Sequence, residues 1–130
     1  MIKSKQELEL IAKNVVDSAF QVHKEMGPGL LESIYKECLI YELGLRKIKT
    51  EEEVFLPLNY KDKRLSKTHR IDILVEDEII IEVKSVETLH PVFDAQIISY
   101  LKLTGKKLGF LINFNVPLIK YGIHRFVYNY

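Results

Sequence analysis

Two runs of β-branched residues around a short acidic break constrain the fold of this chain most. The runs cover residues 70–75 and 79–84, and three acidic residues occupy positions 76–78. This pattern predicts a β-hairpin with a three-residue loop. In that register Asp72 lies opposite Glu82, at roughly 5 Å, where like charges repel. The sequence therefore predicts a cation between these two carboxylates.

A lysine completes the group on this hairpin. Lys84 follows Glu82 by two residues and so shares its face of the sheet, and the same register places Arg70 opposite Lys84. Two carboxylates and a lysine are suited to metal-assisted hydrolysis of a phosphodiester. The alternative is a salt-bridge cluster of Asp72, Lys84 and Glu82. Such pairs contribute only ~0.2–1 kcal/mol, which is small against the cost of burying an unpaired carboxylate.

Hydrophobic periodicity predicts three helices and three further strands around the hairpin. Ser4 and Glu7 have capping-box spacing and start the first helix, which ends at the Gly-Pro-Gly sequence 27–29. The other predicted elements are helices over 31–43 and from Pro91 to about Thr104, and strands over 54–60, 108–114 and 123–128. The order α, α, β, β, β, α, β, β predicts a mixed α/β (α+β) fold with a central sheet flanked by helices.

Length and composition predict one domain over residues 1–130, because 130 residues are few for two cores. A net charge of +1 gives no overall attraction to nucleic acid, so any contact needs a local patch. One cysteine excludes a disulfide framework. No apolar run approaches the ~20 residues of a membrane span, and the start of the chain lacks an apolar signal core. We therefore expect a cytoplasmic protein with no membrane partner.

Three further groups are candidates for the same site, and each has an ordinary structural alternative. Glu32 begins the second helix and could simply cap it or face solvent. Gln96 and Tyr100 lie four apart on the third helix and could be amphipathic packing. A basic connection precedes the hairpin, and it is either a solvated loop or a strip that contacts phosphates. Its candidate nucleic-acid-binding residues are Lys63, Arg64, Lys67 and Arg70.

The pattern Gly29-x-x-Glu32-x-x-Tyr35 resembles the signature of the GxxExxY family of small bacterial and archaeal proteins. The likeness continues through residues 72–75, 82–84, 96–105 and 109–114. That family lies within the PD-(D/E)xK nuclease-like superfamily, and the motifs also resemble RecB-type nuclease domains. The resemblance implies a restriction-endonuclease-like αβββαβ core. Two features depart from the pattern: Ile71 stands where the superfamily has proline, and one cysteine cannot build the four-cysteine iron–sulfur site of some RecB-type relatives.

The resemblance also implies roles for the candidate residues. Lys84 would orient the attacking water or stabilise charge on the phosphate, and Gln96 and Tyr100 would position the phosphate or the lysine. The function implied is a Mg²⁺-dependent nuclease that cleaves DNA, or less favourably RNA, with Mn²⁺ as a substitute ion. The implied metal ligands are Asp72, Glu82, the Val83 carbonyl and Glu32.

Two other functions remain open at this point. The chain could be a nucleic-acid-binding module that keeps the scaffold without turnover, using the basic residues 61–70. It could also be a protein-interaction subunit or a homodimer that uses the apolar region 116–130 as an edge.

Overall fold

The protein is described by a computed structural model that covers residues 3–130. Within this range three α-helices form: α1 is Lys5–Met26, α2 is Glu32–Leu45 and α3 is Pro91–Thr104. The strands are β1 Thr50–Leu56, β2 Asn59–Tyr60, β3 Lys63–Arg64, β4 His69–Val75, β5 Ile79–Lys84, β6 Leu108–Asn113 and β7 Ile123–Val127. One turn of 3₁₀ helix, Ile119–Tyr121, precedes β7.

Five strands form the central sheet in the order β1-β4-β5-β6-β7, and β2 and β3 pair separately as a small hairpin. Among the strands of residues 3–130, only the β5–β6 pair is parallel, because α3 carries the chain across between them. The other pairs in the sheet are antiparallel. Buried residues of α1 and α2 form one hydrophobic cluster with the sheet, and buried residues of α3 form a second. This arrangement confirms the predicted mixed fold class with helices on both faces.

The helix ends largely follow their sequence signals. Ser4 Oγ accepts the Glu7 N–H at 3.1 Å, and the Glu7 carboxylate accepts the Ser4 N–H at 3.0 Å, so the predicted capping box forms. α3 begins at Pro91 and is followed by Gly105 in the left-handed conformation at φ 72°. The predicted end of the second helix at residue 43 is wrong, because Gly44 stays helical and α2 continues to Leu45.

The strand predicted over 54–60 is also wrong in its bounds. β1 begins at Thr50 and ends before Pro57, which has no N–H to continue a ladder. The acidic residues 51–53 belong to this strand because β1 is an edge of the sheet, where charged side chains reach solvent. The basic connection after it is not simply a loop, since it contains the β2–β3 hairpin.

In residues 3–130 no helix is both long enough and apolar enough to pass through a lipid bilayer.

A close approach of two backbones between β6 and β7 supplies a test of the fold. A Cβ added to Gly122 would lie 2.0 Å from the Asn113 carbonyl oxygen, so we expect Gly122→Ala to lower the free energy of unfolding by ~1–3 kcal/mol. Gly44→Ala is the matched control, because beyond its own helix backbone and chain neighbours no described atom lies within 4 Å of its added Cβ. Alanine in a helix interior should gain about 0.5–1 kcal/mol. Urea unfolding followed by circular dichroism measures both changes, and equal stability of the two variants would contradict the packing described.

Candidate functional site

The β4–β5 hairpin pairs over only part of its length. The Glu78 N–H donates to the Val75 carbonyl at 2.9 Å and closes the turn. Cα partners run from Val75 and Ile79 to Ile73 and Ile81. The predicted three-residue loop and register are therefore confirmed up to this point. The backbone ladder then stops, one step short of the expected pair of acidic residues.

Side chains replace the backbone ladder beyond its end. Asp72 Oδ2 accepts the Val83 N–H at 2.9 Å, and Glu82 Oε1 accepts the Asp72 N–H at 3.3 Å. The predicted backbone pairing of Asp72 with Glu82 does not form, because the strands diverge there. Their carboxyl groups nevertheless meet, since each one reaches across the gap between the strands.

A change of face in β4 accounts for this gap. Residues two apart on a regular strand share a face, yet Ile71 packs in the α3 cluster and Ile73 in the α1–α2 cluster. The switch therefore falls at Asp72. On β1, Glu52 pairs with Ile73 and Val54 pairs with Ile71. Glu53 lies between these two pairs and has a positive φ of 52°. This local irregularity is bulge-like in effect and lets β4 leave β5 at Asp72.

The predicted opposition of Arg70 and Lys84 is wrong. Because the β4–β5 ladder ends at Ile73, Arg70 has no partner on β5. It pairs with Phe55 of β1 instead, and its guanidinium lies 3.5 Å from the Glu53 carboxylate. Arg70 is therefore tied to the outer edge of the sheet.

Burial and charge both act on Glu82, which is only 9% exposed. Burial is the larger cause and the negative charge of Asp72 the second, and together they raise the pKa of Glu82 to about 8. Lys84 acts in the opposite direction but more weakly. At neutral pH, Glu82 therefore holds a proton in the absence of a cation. Two crowded carboxyl groups of this kind are an arrangement that a divalent cation would stabilise.

Lys84 lies on the α3 side of the sheet. Its ammonium is 4.2 Å from the centroid of the Phe93 ring, a cation–π distance. Among residues 3–130, no ion pair joins Lys84 to Asp72 or Glu82. The alternative, a salt-bridge cluster of Asp72, Lys84 and Glu82, therefore does not form.

Tyr35 fixes the turn that precedes α2. Its hydroxyl accepts the Leu30 N–H at 3.1 Å and donates to the Gly27 carbonyl at 2.5 Å. Its ring is buried and stacks on Phe114 at 4.6 Å. Gly29 has a φ of 96°, which a residue with a side chain rarely adopts. The Gly-x-x-Glu-x-x-Tyr pattern thus has a structural basis: the glycine permits the turn and the tyrosine holds it.

The same turn places Glu32 beside the end of β5. Glu32 Oε2 accepts the Ser85 N–H at 3.3 Å, and Ser85 Oγ donates to the Leu30 carbonyl at 2.5 Å. Ser85 directly follows Lys84, so Glu32 lies at the site end of the sheet. Its side chain is exposed and, among the described hydrogen bonds, makes none to Asp72 or Glu82.

The oxygen atoms in the gap could supply some of the ligands of a hard divalent ion. Across residues 3–130, no three His, Cys, Asp or Glu side chains lie close enough to hold a metal, so Glu32 does not join Asp72 and Glu82 as a direct third ligand. The Val83 N–H points into the gap, and the carbonyl of a strand residue points the same way as its N–H. Two carboxylates and a carbonyl are oxygen donors of the kind that Mg²⁺ takes together with water.

The third helix covers the face that carries Lys84. Tyr100 is buried, and its ring centroid lies 4.4 Å from that of His69 at the start of β4. Gln96 is half-buried one turn before Tyr100. In the part of the chain described, no hydrogen bond joins either residue to Asp72, Glu82 or Lys84, so their proposed roles stay predictions.

The predicted basic residues are exposed. Lys63 and Arg64 form β3, and Lys67 lies between this strand and β4. Arg64 Nε donates to Asn59 Oδ1 at 2.9 Å, across the hairpin. Within residues 3–130 no hydrogen bond or ion pair joins these side chains to the acidic pair, and their role as phosphate ligands also stays a prediction.

Asn113 is a residue of the site that the sequence interpretation missed. It is buried on β6 in register with Lys84. Its side-chain amide accepts the Val86 N–H at 3.1 Å and donates to the Val86 carbonyl at 3.0 Å, so it anchors the chain that leaves Lys84. The signal was present, because Asn113 is the one polar side chain in an otherwise apolar strand.

Comparison with known proteins adds an independent result. A family model described as the PD-(D/E)XK nuclease superfamily matches residues 9–126. This range holds every residue of the site described above. No functionally curated protein and no solved structure gives a significant match.

The raised pKa of Glu82 predicts how stability depends on pH without a divalent ion. The folded state holds this proton more tightly than the unfolded chain, so the stabilisation is complete below a pH of about 4.5 and is lost as the pH rises through about 8. We expect the free energy of unfolding to fall by at most ~5 kcal/mol over this range.

Glu82→Gln should remove most of that fall because its amide does not titrate. Glu51→Gln, an exposed change on β1, is the matched control and should keep the wild-type slope. Denaturant unfolding with chelator at several pH values measures all three proteins. A Glu82→Gln curve parallel to the wild-type curve would refute this account.

Proposed function

We propose a nuclease function on the premise that this chain belongs to the PD-(D/E)XK nuclease superfamily. The specific proposal is hydrolysis of phosphodiester bonds in DNA, with RNA as the less favoured substrate. The observation that carries it is the pair of carboxyl groups, Asp72 and Glu82, held together where the hairpin strands diverge. The raised pKa of Glu82 supports it, because this pair favours a bound cation.

The chain offers a defined set of groups for this chemistry. Mg²⁺ or Mn²⁺ held by Asp72, Glu82 and the Val83 carbonyl would activate water and neutralise phosphate charge. Glu32, whose carboxylate lies beside the Ser85 amide, would accept a hydrogen bond from a water at the end of β5. We assign no direct ligand role to Glu32 in this arrangement, since it lies outside the acidic pair.

Lys84 would act on the phosphate or on the attacking water. It shares a strand face with Glu82, and the Phe93 ring holds its ammonium on the α3 side. A fixed ammonium stabilises negative charge that develops in the transition state. Gln96 and Tyr100, on the same helix as Phe93, would position the substrate phosphate at this face.

We also propose that the chain is a GxxExxY protein within the superfamily. The support is that each residue of the pattern has a distinct physical task. Gly29 takes a positive φ, Tyr35 ties the turn together, and Glu32 is carried to the end of β5.

A binding module without turnover is the second candidate. The observation that favours it is that only two carboxylates meet in the gap, while the basic residues of β3 and the following loop are exposed. Binding to nucleic acid would then weaken steeply with salt. Lys63→Ala, Arg64→Ala and Lys67→Ala would each lower the affinity, Glu82→Gln would leave it nearly unchanged, and no divalent ion would yield product.

The nuclease proposal predicts that Asp72→Asn and Lys84→Ala each lower the cleavage rate by about 10²-fold or more. Asp72→Asn removes a charge that would hold the metal ion, and Lys84→Ala removes the ammonium that would stabilise charge on the phosphate. Asparagine can still accept the Val83 N–H, so the strand geometry is kept. Asp94→Asn is the matched control, an exposed carboxylate on α3. The assay uses labelled single-stranded and duplex DNA and RNA with Mg²⁺, Mn²⁺ or chelator, and circular dichroism verifies the fold. Unchanged cleavage by both folded variants would exclude the assignment.

A further inference from the structure

We propose that this protein selects unpaired nucleotides through two exposed aromatic rings, Phe55 and Tyr60, each set opposite a basic side chain. The inference rests on the proposed action on nucleic acid and names the substrate class within it. Both rings are 64% exposed, on either side of Pro57. Neither belongs to the two hydrophobic clusters of the fold.

The small hairpin presents Tyr60 beside positive charge. In its register Tyr60 is opposite Lys63 and Asn59 is opposite Arg64, and directly opposed residues share a face. The Lys61 ammonium also lies 5.5 Å from the centroid of the Tyr60 ring. On the other face the bond from Arg64 to Asn59 braces the two strands. One face of the hairpin therefore offers a flat ring with ammonium groups next to it.

The edge strand has a second exposed ring opposite a basic side chain, and there the Arg70 guanidinium also lies 3.5 Å from the Glu53 carboxylate. Phe55 of β1 is opposite Arg70 of β4, so their side chains share a face. The neighbours of Phe55, Val54 and Leu56, pack towards the α3 cluster, so alternation turns the Phe55 ring to the opposite face. Its ring therefore contributes nothing to the core on the α3 side, although it is large and apolar.

The combination of a ring and a cation distinguishes unpaired from paired nucleotides. Basic side chains alone contact the phosphates of either form. An aromatic ring can stack only on a base face that is not already covered by neighbouring pairs, which is the situation in a single strand. A stacked base contributes about tenfold in affinity, with little dependence on its identity. The aromatic residues therefore add a preference for single strands that the lysines cannot provide.

The position of these pairs along the chain links them to the acidic site. Arg70, the partner of Phe55, is two residues before Asp72 on the same strand. The small hairpin is inserted between β1 and β4, directly before that strand. The rings and the acidic site therefore belong to consecutive elements, with Phe55 on the face of the sheet opposite to Lys84.

The test is equilibrium binding with chelator present, so that no cleavage is needed. Fluorescence anisotropy measures the dissociation constant for a labelled oligothymidylate and for a duplex of the same length, at two salt concentrations. We expect the single strand to bind at least about fivefold more tightly. Tyr60→Ala and Phe55→Leu should each weaken single-strand binding by about five- to tenfold and change duplex binding less than about twofold.

Three variants serve as controls in this assay. Tyr60→Phe keeps the ring and should bind as the wild type does. Tyr41→Ala removes a tyrosine of similar exposure, 69%, from α2 and should change nothing. Lys63→Ala should weaken both ligands alike and lower the salt dependence, because it removes a phosphate contact.

The outcomes separate this inference from the nuclease proposal. Binding that prefers the single strand and depends on Tyr60, in a protein that cleaves nothing, supports the inference and counts against the nuclease. Equal binding of both ligands by the wild type overturns the inference even if DNA is cleaved. Tyr60→Ala and Tyr41→Ala behaving alike overturns it as well, and so does the absence of binding to either ligand.

Discussion

The carboxylate of Asp72 occupies the place of a backbone acceptor, because it accepts the Val83 N–H beyond the end of the β4–β5 ladder. A buried amide left without an acceptor would destabilise the fold, so the aspartate allows the two strands to separate at little cost. The gap then contains the Glu82 carboxyl group and the Val83 carbonyl. Because this bond stands in for backbone pairing, the groups on which the proposed chemistry depends are not covered by the opposite strand.

Local signals predicted much of the fold, and the failures share a physical cause. The capping box at Ser4, the turn at 76–78 and the start of α3 at Pro91 depend on residues close in sequence, and all three formed. The register of Arg70 was wrong because the ladder ends where β4 changes face, which depends on packing against α3 on one face and α1 and α2 on the other. The acidic residues 51–53 were not recognised as strand because an edge strand tolerates charge that a central strand would exclude.

For the site, the sequence identified the acidic pair but not the relation of its parts. The proximity of Asp72 and Glu82 followed from the register of the hairpin, although their backbones do not pair. The position of Glu32 at the Ser85 amide depends on the turn held by Tyr35. It also depends on the bond from Ser85 to Leu30, which joins segments more than fifty positions apart. Asn113 on β6 likewise binds the backbone of Val86, which lies in the segment after β5. Such contacts are set by tertiary packing, and no spacing rule reveals them.

The parallel pairing of β5 with β6 has a consequence for how this protein is made. Antiparallel β4 and β5 can meet as soon as their turn is synthesised, but β6 joins only after the whole crossover through α3. Until then β5 is an unprotected edge that displays Ile79, Ile80 and Ile81. Non-local pairing of this kind slows folding. The strand that carries Glu82 and Lys84 is therefore exposed to wrong pairing in a nascent chain, and the completion of β6 covers its open edge.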